Sequence, residues 1–378
     1  MTARGSRRAV ARAKRIVVKV GSSTLTRDGV PRSRKFGDLA KQLAELTDQG
    51  KQLVLVSSGA IAVGCRELGW QHGGRTVREK QAAAAVGQVG LVELYQRRFR
   101  RYGKRVAQVL LTRSGLEDRE QFLNARHTLL ELLRLGVIPI VNENDTVATE
   151  EIRFGDNDNL SATIVNLVGA DLLILLTDVD GLYETRPESG KPKPTLITEV
   201  SKVTPAIRRA AQGSDSAFGR GGMITKLEAA QSAARGGATT VICNGNSRDI
   251  LQRVAAGEAV GTVFLSGEKM ASRKHWLAYT TRTRGKLVLD DGATGALVNK
   301  GRSLLPAGIV RVSGNFRIGD AVACIDSKGR ERARGLVAYT SDDISRIMGL
   351  ATREVKRVLG YSNGDEVIHS DDLVVLET

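Results

Sequence analysis

The sequence predicts an α/β protein built on a mostly parallel sheet, followed by a small β-barrel. The first observation is the alternation of strands, polar loops and a helix between Val141 and Tyr183. The second is a series of short strands separated by glycine turns, which begins at Gly285. The chain has 378 residues, of which 41% are hydrophobic, so it can form one large α/β domain with an appendage.

Composition narrows the class of protein. No apolar run approaches the length of a membrane span, and the basic N-terminus lacks the apolar segment of a signal peptide. The cysteines, Cys65, Cys243 and Cys324, are odd in number and far apart, and no Cys/His pair has zinc spacing. We therefore expect a reduced, cytosolic, soluble protein.

The formal net charge of +16 is unevenly distributed. Residues 1–15 hold six basic residues and no acid, whereas residues 285–378 hold thirteen basic and thirteen acidic residues. Most of the excess therefore lies in the body of the chain. A basic body suits an enzyme that acts on anionic substrates as well as it suits a polynucleotide-binding protein.

The first predicted strand, Arg15–Val20, runs into the small-residue loop Gly21–Thr24. Such a loop lets backbone N–H groups approach an anion closely. Lys19 interrupts an otherwise apolar strand, so its ammonium group either extends to solvent or faces an anion. The adjacent loop favours the anion.

A helix is predicted from Ser33 to Gly50, and a strand follows at Leu53–Val56. Ser57–Ala60 then opens another helix, where small residues expose an N-terminus to an anion. Ordinary N-capping by serine explains that pattern equally well. The next elements are a helix, a strand and a charged helix, at Val77–Tyr102, Val106–Leu111 and Glu117–Arg134.

Two polar clusters, Asn142–Asp145 and Gly155–Asn159, lie in the central stretch, and a strand at Leu172–Leu176 ends in Thr177–Asp178. Ligands of parallel α/β sheets lie beyond the carboxyl ends of strands, so these clusters predict a binding site. The alternative is that Asn, Asp and Gly simply form turns. A loop at 181–195 follows.

Gly219–Met223 leads into a helix that carries Lys226, and Ala238–Cys243 is predicted to be the last strand of this domain. The sequence has no Walker A loop, no GxGxxG after a strand and no EF-hand. What remains is several small-residue anion loops and two lysines, without an obvious nucleophile. This set of residues suits phosphoryl transfer, in which the protein mainly positions reactants and neutralises charge.

Seven segments in order carry a resemblance to a known family: VVKVGSS, VSSGAIAVG, LEDREQFLNAR, VNENDTVAT, FGDNDNLSA, LLTDVDGLY and GRGGMITKLEAA. Over residues 15–265 the chain resembles the glutamate 5-kinases, a branch of the amino-acid kinase family. The resemblance implies an open eight-stranded α/β/α sandwich and transfer of the ATP γ-phosphoryl group to the side-chain carboxylate of L-glutamate. It also implies Mg²⁺, a homo-oligomer (dimer or tetramer) and feedback inhibition by L-proline, because the reaction is the first step of proline synthesis.

The resemblance also assigns roles to residues. Lys19 and Lys226 would contact the transferring phosphoryl group, and Asp158 would hold both lysines. L-Glutamate would be bound by Ser58, Asp145 and Asn157. ATP would be bound by Lys19, Gly21, Ser22, Thr177, Asp178, Gly221, Gly222, Met223, Ile224, Thr225 and Lys226. The resemblance implies no protein ligand for a metal, since phosphates and water can hold Mg²⁺. The glycine loop differs in one position, where Arg220 replaces an expected small residue.

The C-terminal part, roughly 285–365, resembles a PUA domain, a module that often binds RNA. The predicted organisation is a basic disordered arm (1–14), a kinase domain (15–266), a linker (267–284) and a PUA-like domain (285–378). Arg330, Arg332 and Arg334 could form a local basic patch, but the domain has no net charge, so a structural or regulatory role is favoured over RNA binding. The alternatives are an RNA-binding protein and a kinase of another small anionic substrate.

Overall fold

The computed structural model describes six segments of the chain, which are residues 3–27, 30–147, 157–185, 194–212, 222–266 and 276–376. The chain divides into two compact units. The first comprises residues 1–116 and 120–270, and the second comprises residues 117–119 and 271–378. No helix in the described segments is long and apolar enough to cross a membrane.

An eight-stranded sheet forms the centre of the first unit. Its strands, in their order across the sheet, are β5 (Val106–Leu111), β6 (Ile138–Glu143), β4 (Gln52–Ser57), β1 (Arg15–Val20), β7 (Leu172–Thr177), β9 (Thr239–Asn244), β10 (Thr262–Phe264) and β8 (Glu199–Val200). All neighbouring strands are parallel except β9 and β10, which are antiparallel. The predicted α/β class and the mostly parallel, eight-stranded sheet are confirmed. A separate antiparallel pair consists of β2 (Thr26–Arg27) and β3 (Val30–Pro31).

The helices described between residues 3 and 266 connect these strands. They are α1 (Ala3–Arg12), α2 (Ser22–Leu25), α3 (Ser33–Asp48), α4 (Ala60–Glu67), α5 (Val77–Arg100), α6 (Arg113–Glu117), α7 (Arg119–Arg134), α8 (Asn157–Val168), α9 (Pro205–Gln212), α10 (Met223–Arg235) and α11 (Ile250–Ala255). The predicted helix at Ser33 is confirmed, with its apolar side chains buried and Gly50 after its end in a left-handed conformation (φ 79°).

Strand β1 lies at the centre of the sheet, between β4 and β7, and Lys19 is in register with Val56 and Leu175. Side chains alternate along a strand, so Lys19 points to the opposite face from Val18 and Val20. Those two valines belong to one apolar core with α3 and α5. Because β1, β4 and β7 are parallel, the loops after them meet at one edge of the sheet.

The predicted disordered arm at residues 1–14 is wrong for residues 3–12, which form α1. Ser6 and Val10 are buried one helical turn apart, and the Arg7 guanidinium donates a hydrogen bond to the carbonyl of Val260 (2.7 Å). The basic composition of this segment hid a narrow buried stripe. The helix therefore packs on the first unit.

The predicted last strand, Ala238–Cys243, corresponds to β9, but it is not the last strand of the sheet. Strands β10 and β8 extend the sheet beyond it. With three and two residues, these strands are too short to show a two-residue periodicity in the sequence. The three cysteines are buried free thiols.

The second unit contains a five-stranded sheet in the order β12 (Ile309–Gly314), β11 (Gly285–Leu289), β13 (Ala321–Ile325), β14 (Glu331–Leu336) and β15 (Leu373–Val375). The predicted small C-terminal β-structure is present as this sheet, whose outer strands, β12 and β15, do not pair with each other within the described residues. Its helices are α12 (Asp291–Lys300), α13 (Ser341–Ile347) and α14 (Thr352–Leu359). A short helical turn, Trp276–Thr280, lies in the predicted linker.

Two of these elements differ from the sequence prediction. Helix α12 replaces a predicted strand and turn, because Asp290 caps its N-terminus by accepting a hydrogen bond from the Ala293 N–H (2.6 Å). Trp276 and Leu277 are buried in the second unit, so this part of the predicted linker is folded. The remaining domain boundaries stay predictions.

The predicted arginine patch of the second unit is largely paired with acids. Arg330 Nε lies 2.9 Å from a carboxylate oxygen of Asp326, and Arg334 Nε lies 2.6 Å from Glu331. Each pair offsets a charge that would otherwise be available to a phosphate backbone.

Candidate active site

The centre of the candidate site is the carboxylate of Asp158, which lies between two lysines. Lys19 Nζ, from β1, is 2.6 Å from one carboxylate oxygen, and Lys226 Nζ, from α10, is 3.2 Å from the other. All three side chains are almost completely buried, with exposures of 1% to 7%. Because one carboxylate faces two ammonium groups, the cluster keeps an excess positive charge. A buried positive charge of this kind favours an anionic ligand.

The electrostatics of this cluster follow from burial and from its charges. Burial opposes ionisation of Asp158, but the charges of Lys19 and Lys226 outweigh it and lower the pKa of that carboxyl to about 2. Burial lowers the pKa of Lys226, and Asp158 opposes that shift. Asp158 is therefore ionised at neutral pH, so it cannot serve as a general acid there, and its low pKa makes it a weak general base.

Thr225 also belongs to this cluster. Its hydroxyl lies 2.7 Å from a carboxylate oxygen of Asp158, to which it donates a hydrogen bond, and 2.9 Å from the carbonyl of Gly222. The sequence resemblance assigned Thr225 to ATP. In the structure its side chain donates to the carboxylate that holds both lysines, and its predicted contact with ATP stays a prediction.

The variant Thr225→Val is expected to lower kcat about tenfold or somewhat more, because it removes a charge-assisted hydrogen bond worth about 1.5–3 kcal/mol. Valine keeps the shape of threonine, so the protein should remain folded. Steady-state kinetics with Thr225→Ser as the control measure this effect. Wild-type kcat in the valine variant would show that the hydroxyl does not support the cluster.

The small-residue loop after β1 lies beside Lys19. Gly21 precedes the short helix α2, and a Cβ atom added at Gly21 would lie 3.6 Å from Lys19 Nζ. A side chain at this position would therefore reduce the space next to the ammonium group. Gly21 thus lies near the lysine, and Ser22 follows it as the first residue of α2.

A chain of buried amides lies next to this cluster. Asn157 Nδ2 donates hydrogen bonds to Ser58 Oγ (2.9 Å) and Asn142 Oδ1 (3.1 Å), and Asn142 Nδ2 donates to Gln88 Oε1 (2.9 Å). Asn157 directly precedes Asp158 in the first turn of α8. The N-terminus of this helix therefore contributes a residue to the chain of amides and another to the lysine cluster. The structure therefore brings together Ser58 and Asn157, two of the three residues predicted to bind glutamate.

Close helix packing holds this chain of amides in place. Helix α4 starts just after Ser58, and α5 carries Gln88. The two helices almost touch at Gly64 and Gly87, where an added Cβ atom would lie 1.7 Å from the Ala83 carbonyl and 1.9 Å from the Ala60 carbonyl, respectively. Only glycine permits such an approach.

Asp145, the third predicted glutamate ligand, lies in the loop after β6 and is partly buried. Burial raises the pKa of its carboxyl to about 6. The described residues give it no hydrogen bond or ion pair, including none to Ser58 or Asn157. A partly buried carboxylate without a partner is suited to an ammonium group.

Two of the residues predicted to contact the nucleotide, Thr177 and Asp178, lie at the end of β7. The Thr177 hydroxyl donates a hydrogen bond to Asp178 (3.1 Å). Burial lowers the pKa of Lys226, and the charge of Asp178, like that of Asp158, partly opposes this shift. Beside them, Asp180 accepts hydrogen bonds from Asn244 (2.9 Å) and Tyr183 (2.8 Å). The ends of β7 and β9 are therefore joined at the same edge as Lys226.

Part of the predicted site lies outside the described residues. Gly155, Asp156, Arg220 and Gly221 are in this group, as is most of the predicted loop at 181–195. Met223 and Ile224 are described, in the first turn of α10. Within the described segments, no group of three or more His, Cys, Asp or Glu side chains could hold a metal ion.

Comparison with known proteins agrees with this geometry. Residues 14–244 match the model of the amino acid kinase family, and residues 285–359 match the PUA domain. The chain is 49% identical over 369 residues to a glutamate 5-kinase from Geobacter sulfurreducens, covering 97% of this chain and 99% of that protein. The chain belongs to the glutamate 5-kinase family. A second glutamate 5-kinase, from Paraburkholderia phymatum, is 50% identical over 372 residues, covering 98% and 100%.

Among solved structures, this glutamate 5-kinase family member resembles a carbamate kinase from Giardia lamblia bound to AMP-PNP. The TM-score is 0.48 and the identity is 15%, and the match covers 68% of this chain and 99% of that chain.

Sequence reasoning missed two residues of the buried amide chain in this glutamate 5-kinase family member. Asn142 lies near the carboxyl end of β6, in the polar cluster Asn142–Asp145, and that cluster was the signal that could have identified it. Gln88 is one polar residue on an alanine-rich helix, and nothing in the local sequence distinguishes it from an exposed glutamine. Asp180, Tyr183 and Asn244 were also missed, although they lie at or beyond the carboxyl ends of β7 and β9, where ligands of parallel sheets bind.

Proposed function

We propose that the chain transfers the γ-phosphoryl group of ATP to the side-chain carboxylate of L-glutamate and forms L-glutamyl 5-phosphate, the first step of proline synthesis. The observation that carries this proposal is the buried cluster in which Asp158 holds Lys19 and Lys226. Fixed cations that meet developing charge are the main contribution a protein makes to phosphoryl transfer.

In this reaction a carboxylate oxygen of glutamate forms a bond to the γ-phosphorus, while the bond from that phosphorus to the bridging oxygen of ADP breaks. The carboxylate is already ionised, so no base has to remove a proton from it. That agrees with a site in which the buried carboxylate, Asp158, has a depressed pKa and is paired with cations. The two lysines neutralise charge on the phosphoryl oxygens and on the leaving ADP.

The glutamate pocket is assigned to Ser58, Asn157 and Asp145. The α-ammonium group of glutamate pairs with the partnerless carboxylate of Asp145. Ser58 and Asn157, which are hydrogen-bonded to each other, offer a hydroxyl and an amide to the substrate carboxylates. ATP enters with Mg²⁺, which its phosphates and water can hold without a protein cage.

The nucleotide is assigned to Gly21, Ser22, Thr177 and Asp178, together with the start of α10. The backbone of residues 222–226 contacts the phosphates at the N-terminus of that helix, where N–H groups and the helix dipole favour anions. Gly221 is assigned to ATP from the family resemblance alone. We further propose, from the family alone, a cytoplasmic homo-oligomer that proline inhibits.

Trapping the product tests this function. Incubation with ATP, Mg²⁺, L-glutamate and hydroxylamine should yield glutamyl hydroxamate, and omission of L-glutamate should abolish it. The same assay with other small anions, such as L-aspartate and carbamate, separates glutamate from the substrates of related kinases. ATP turnover that is independent of L-glutamate would refute the proposal.

The variant Asp145→Asn is expected to raise the KM for glutamate roughly ten- to a hundredfold, because it removes a charge-assisted contact worth about 1.5–3 kcal/mol. The KM for ATP should change little. In the wild type, Asp145 becomes protonated as the pH falls below about 6, so the glutamate KM should rise between pH 6.5 and 5.

The pH series provides the control for this prediction. Steady-state kinetics at saturating ATP should show a rise in glutamate KM at low pH for the wild type and a flat profile for Asp145→Asn. A variant that loses ATP affinity instead would reverse the assignment of the two pockets.

A further inference from the structure

A second polar cavity lies on the opposite face of the sheet from Lys19. Its volume is about 960 Å³, and it is formed by the first turns of α3 and the loop between β9 and α11. Helix α3 packs on the sheet face that carries Val18 and Val20, as the shared core of these elements shows. None of the residues that line the cavity belongs to the candidate active site. The cationic residues that line it are Arg32, Arg34, Lys35, Lys41 and Arg248, and the acidic ones are Asp38 and Asp249.

The N-terminus of α3 is electrostatically unfavourable as it stands. The positive end of the helix dipole carries Arg32 at the N-cap and Arg34 and Lys35 in the first turn, with no acidic residue in that turn. Within the segments that the structure describes, no side chain caps the helix. Cations at this end repel the dipole, whereas an anion is attracted both by the dipole and by the cations. The 16-residue helix therefore begins at a site where a bound anion would stabilise the helix.

Lys35 provides a second, independent observation. Its exposure is 7%, yet among the described residues its ammonium group has no hydrogen bond and no ion pair. Burial lowers its pKa, Asp38 opposes this shift, and Arg32 adds to it. The ammonium group reaches the solvent-accessible cavity, and the charge of Asp38 offsets only part of the cost of its burial. The side chain faces the cavity, where a ligand could pair with it.

We propose that this cavity binds a small oligophosphate anion, at a site separate from the active site. Five cations against two carboxylates favour several adjacent negative charges over a single one. Guanidinium groups match the geometry of phosphate oxygens. The described residues that line the cavity include no aromatic side chain, so a nucleobase has no stacking partner, and the phosphate chain is the recognised group.

Hydrogen bonds connect the cavity to the small-residue loop after β1, which is part of the proposed active site. Arg32 donates hydrogen bonds to Asn246 Oδ1 (2.7 Å) and to the carbonyl of Thr24 in α2 (3.3 Å). Thr24 packs tightly against Gly245, where an added Cβ atom would lie 2.8 Å from Thr24 Cγ2. An anion that binds Arg32 competes with these bonds and displaces α2, which begins next to Gly21. Occupancy of the cavity should therefore change the KM for ATP. This change in KM rests on the proposed function, whereas the binding of the anion to the cavity does not rest on it.

Isothermal titration of the full-length protein tests the binding. The active site is first saturated with a non-hydrolysable ATP analogue, Mg²⁺ and L-glutamate, and inorganic tripolyphosphate is then added. We expect one tripolyphosphate per chain, with an affinity that falls as salt increases. Lys35→Gln and Arg248→Gln should each weaken it at least tenfold, while Lys202→Gln, a charge removal at an exposed position, should leave it unchanged.

Two outcomes would overturn the proposal: no binding beyond the active site, or binding that survives both cavity variants. If the wild type binds a second equivalent of the ATP analogue and Lys35→Gln does not, the ligand of the cavity is the phosphate chain of a nucleotide. Binding of tripolyphosphate alone would identify a free oligophosphate.

Thermal unfolding without ligand gives an independent check. Because the Lys35 ammonium group has no ion pair among the described residues, Lys35→Met should change the Tm of the unliganded protein little and should remove the rise in Tm that tripolyphosphate produces in the wild type. A large fall in Tm of this variant would instead assign Lys35 a structural role and refute the site.

Discussion

Replacing Lys226 with alanine is expected to lower kcat by about a hundredfold or more, with little change in the KM for glutamate. The ammonium group meets charge that grows on the phosphoryl oxygens during transfer, and an interaction made mainly in the transition state appears in kcat. One electrostatic stabiliser of this kind contributes roughly 3–4 kcal/mol to the activation barrier. Lys19→Ala should have a similar effect.

Steady-state kinetics by hydroxamate formation measure this loss, with Lys202→Ala as the matched control because Lys202 is exposed. If chemistry remains rate-limiting, single-turnover rates should fall by the same factor. Wild-type turnover in Lys19→Ala or in Lys226→Ala would remove that lysine from the reaction. An increase in glutamate KM alone would place it in the substrate pocket instead.

Much of the first unit was predictable because most of its longer strands are buried and its loops carry small or polar residues. Strands β1 and β5 have the predicted bounds, and the predicted loops after β1, β4 and β7 lie at one edge of the sheet. The unpredicted elements have physical reasons. Strands β8 and β10 are too short for periodicity, and helix α1 buries only a narrow stripe.

Some residues of the candidate site were predictable from the sequence because their burial costs free energy unless they have a partner. Lys19 stood out because a lysine in a buried strand requires a partner, and the resemblance supplied Asp158. The amide of Gln88 carries no such cost in the sequence, since glutamine on a helix is ordinarily exposed. Its role follows only when the close contact of α4 and α5 buries it. Thr225 was assigned to ATP because sequence position alone cannot distinguish its backbone from its hydroxyl.

The location of Lys35 shows the same difference between sequence and structure. In the sequence Lys35 is one of several basic residues at the start of an amphipathic helix, a pattern that is typical of a solvated surface. In the structure it is buried at the positive end of α3, together with two arginines. The two lysine sites therefore lie on opposite faces of one sheet. Lys19 and Lys226 share one carboxylate, whereas Lys35 has no ion pair among the described residues.

The variant Asp158→Asn separates the two roles of that carboxylate, stability and catalysis. Asparagine keeps the shape of the side chain but leaves two buried ammonium groups facing each other without a counter-charge. Removing one partner of a buried ion pair costs about 3–5 kcal/mol, so the free energy of unfolding at pH 7 should fall by that amount. In the wild type the pKa of Asp158 is depressed in the folded state, so its contribution is present above about pH 4 and is lost as the pH falls toward 2.

The catalytic consequence has a defined sign. Asp158 raises the pKa of Lys226 against the effect of burial, so its removal lowers that pKa further. The residual kcat of Asp158→Asn should therefore be at least about a hundredfold below wild type, and it should decline with rising pH at a lower pH than the wild-type value does. Urea unfolding and a kcat–pH profile measure the two effects. In a double-mutant cycle, Asp158→Asn with Lys226→Met should destabilise less than the sum of the single variants, because the methionine removes one of the two repelling charges. Additive losses, with an unchanged pH profile, would mean that Asp158 does not hold the lysines.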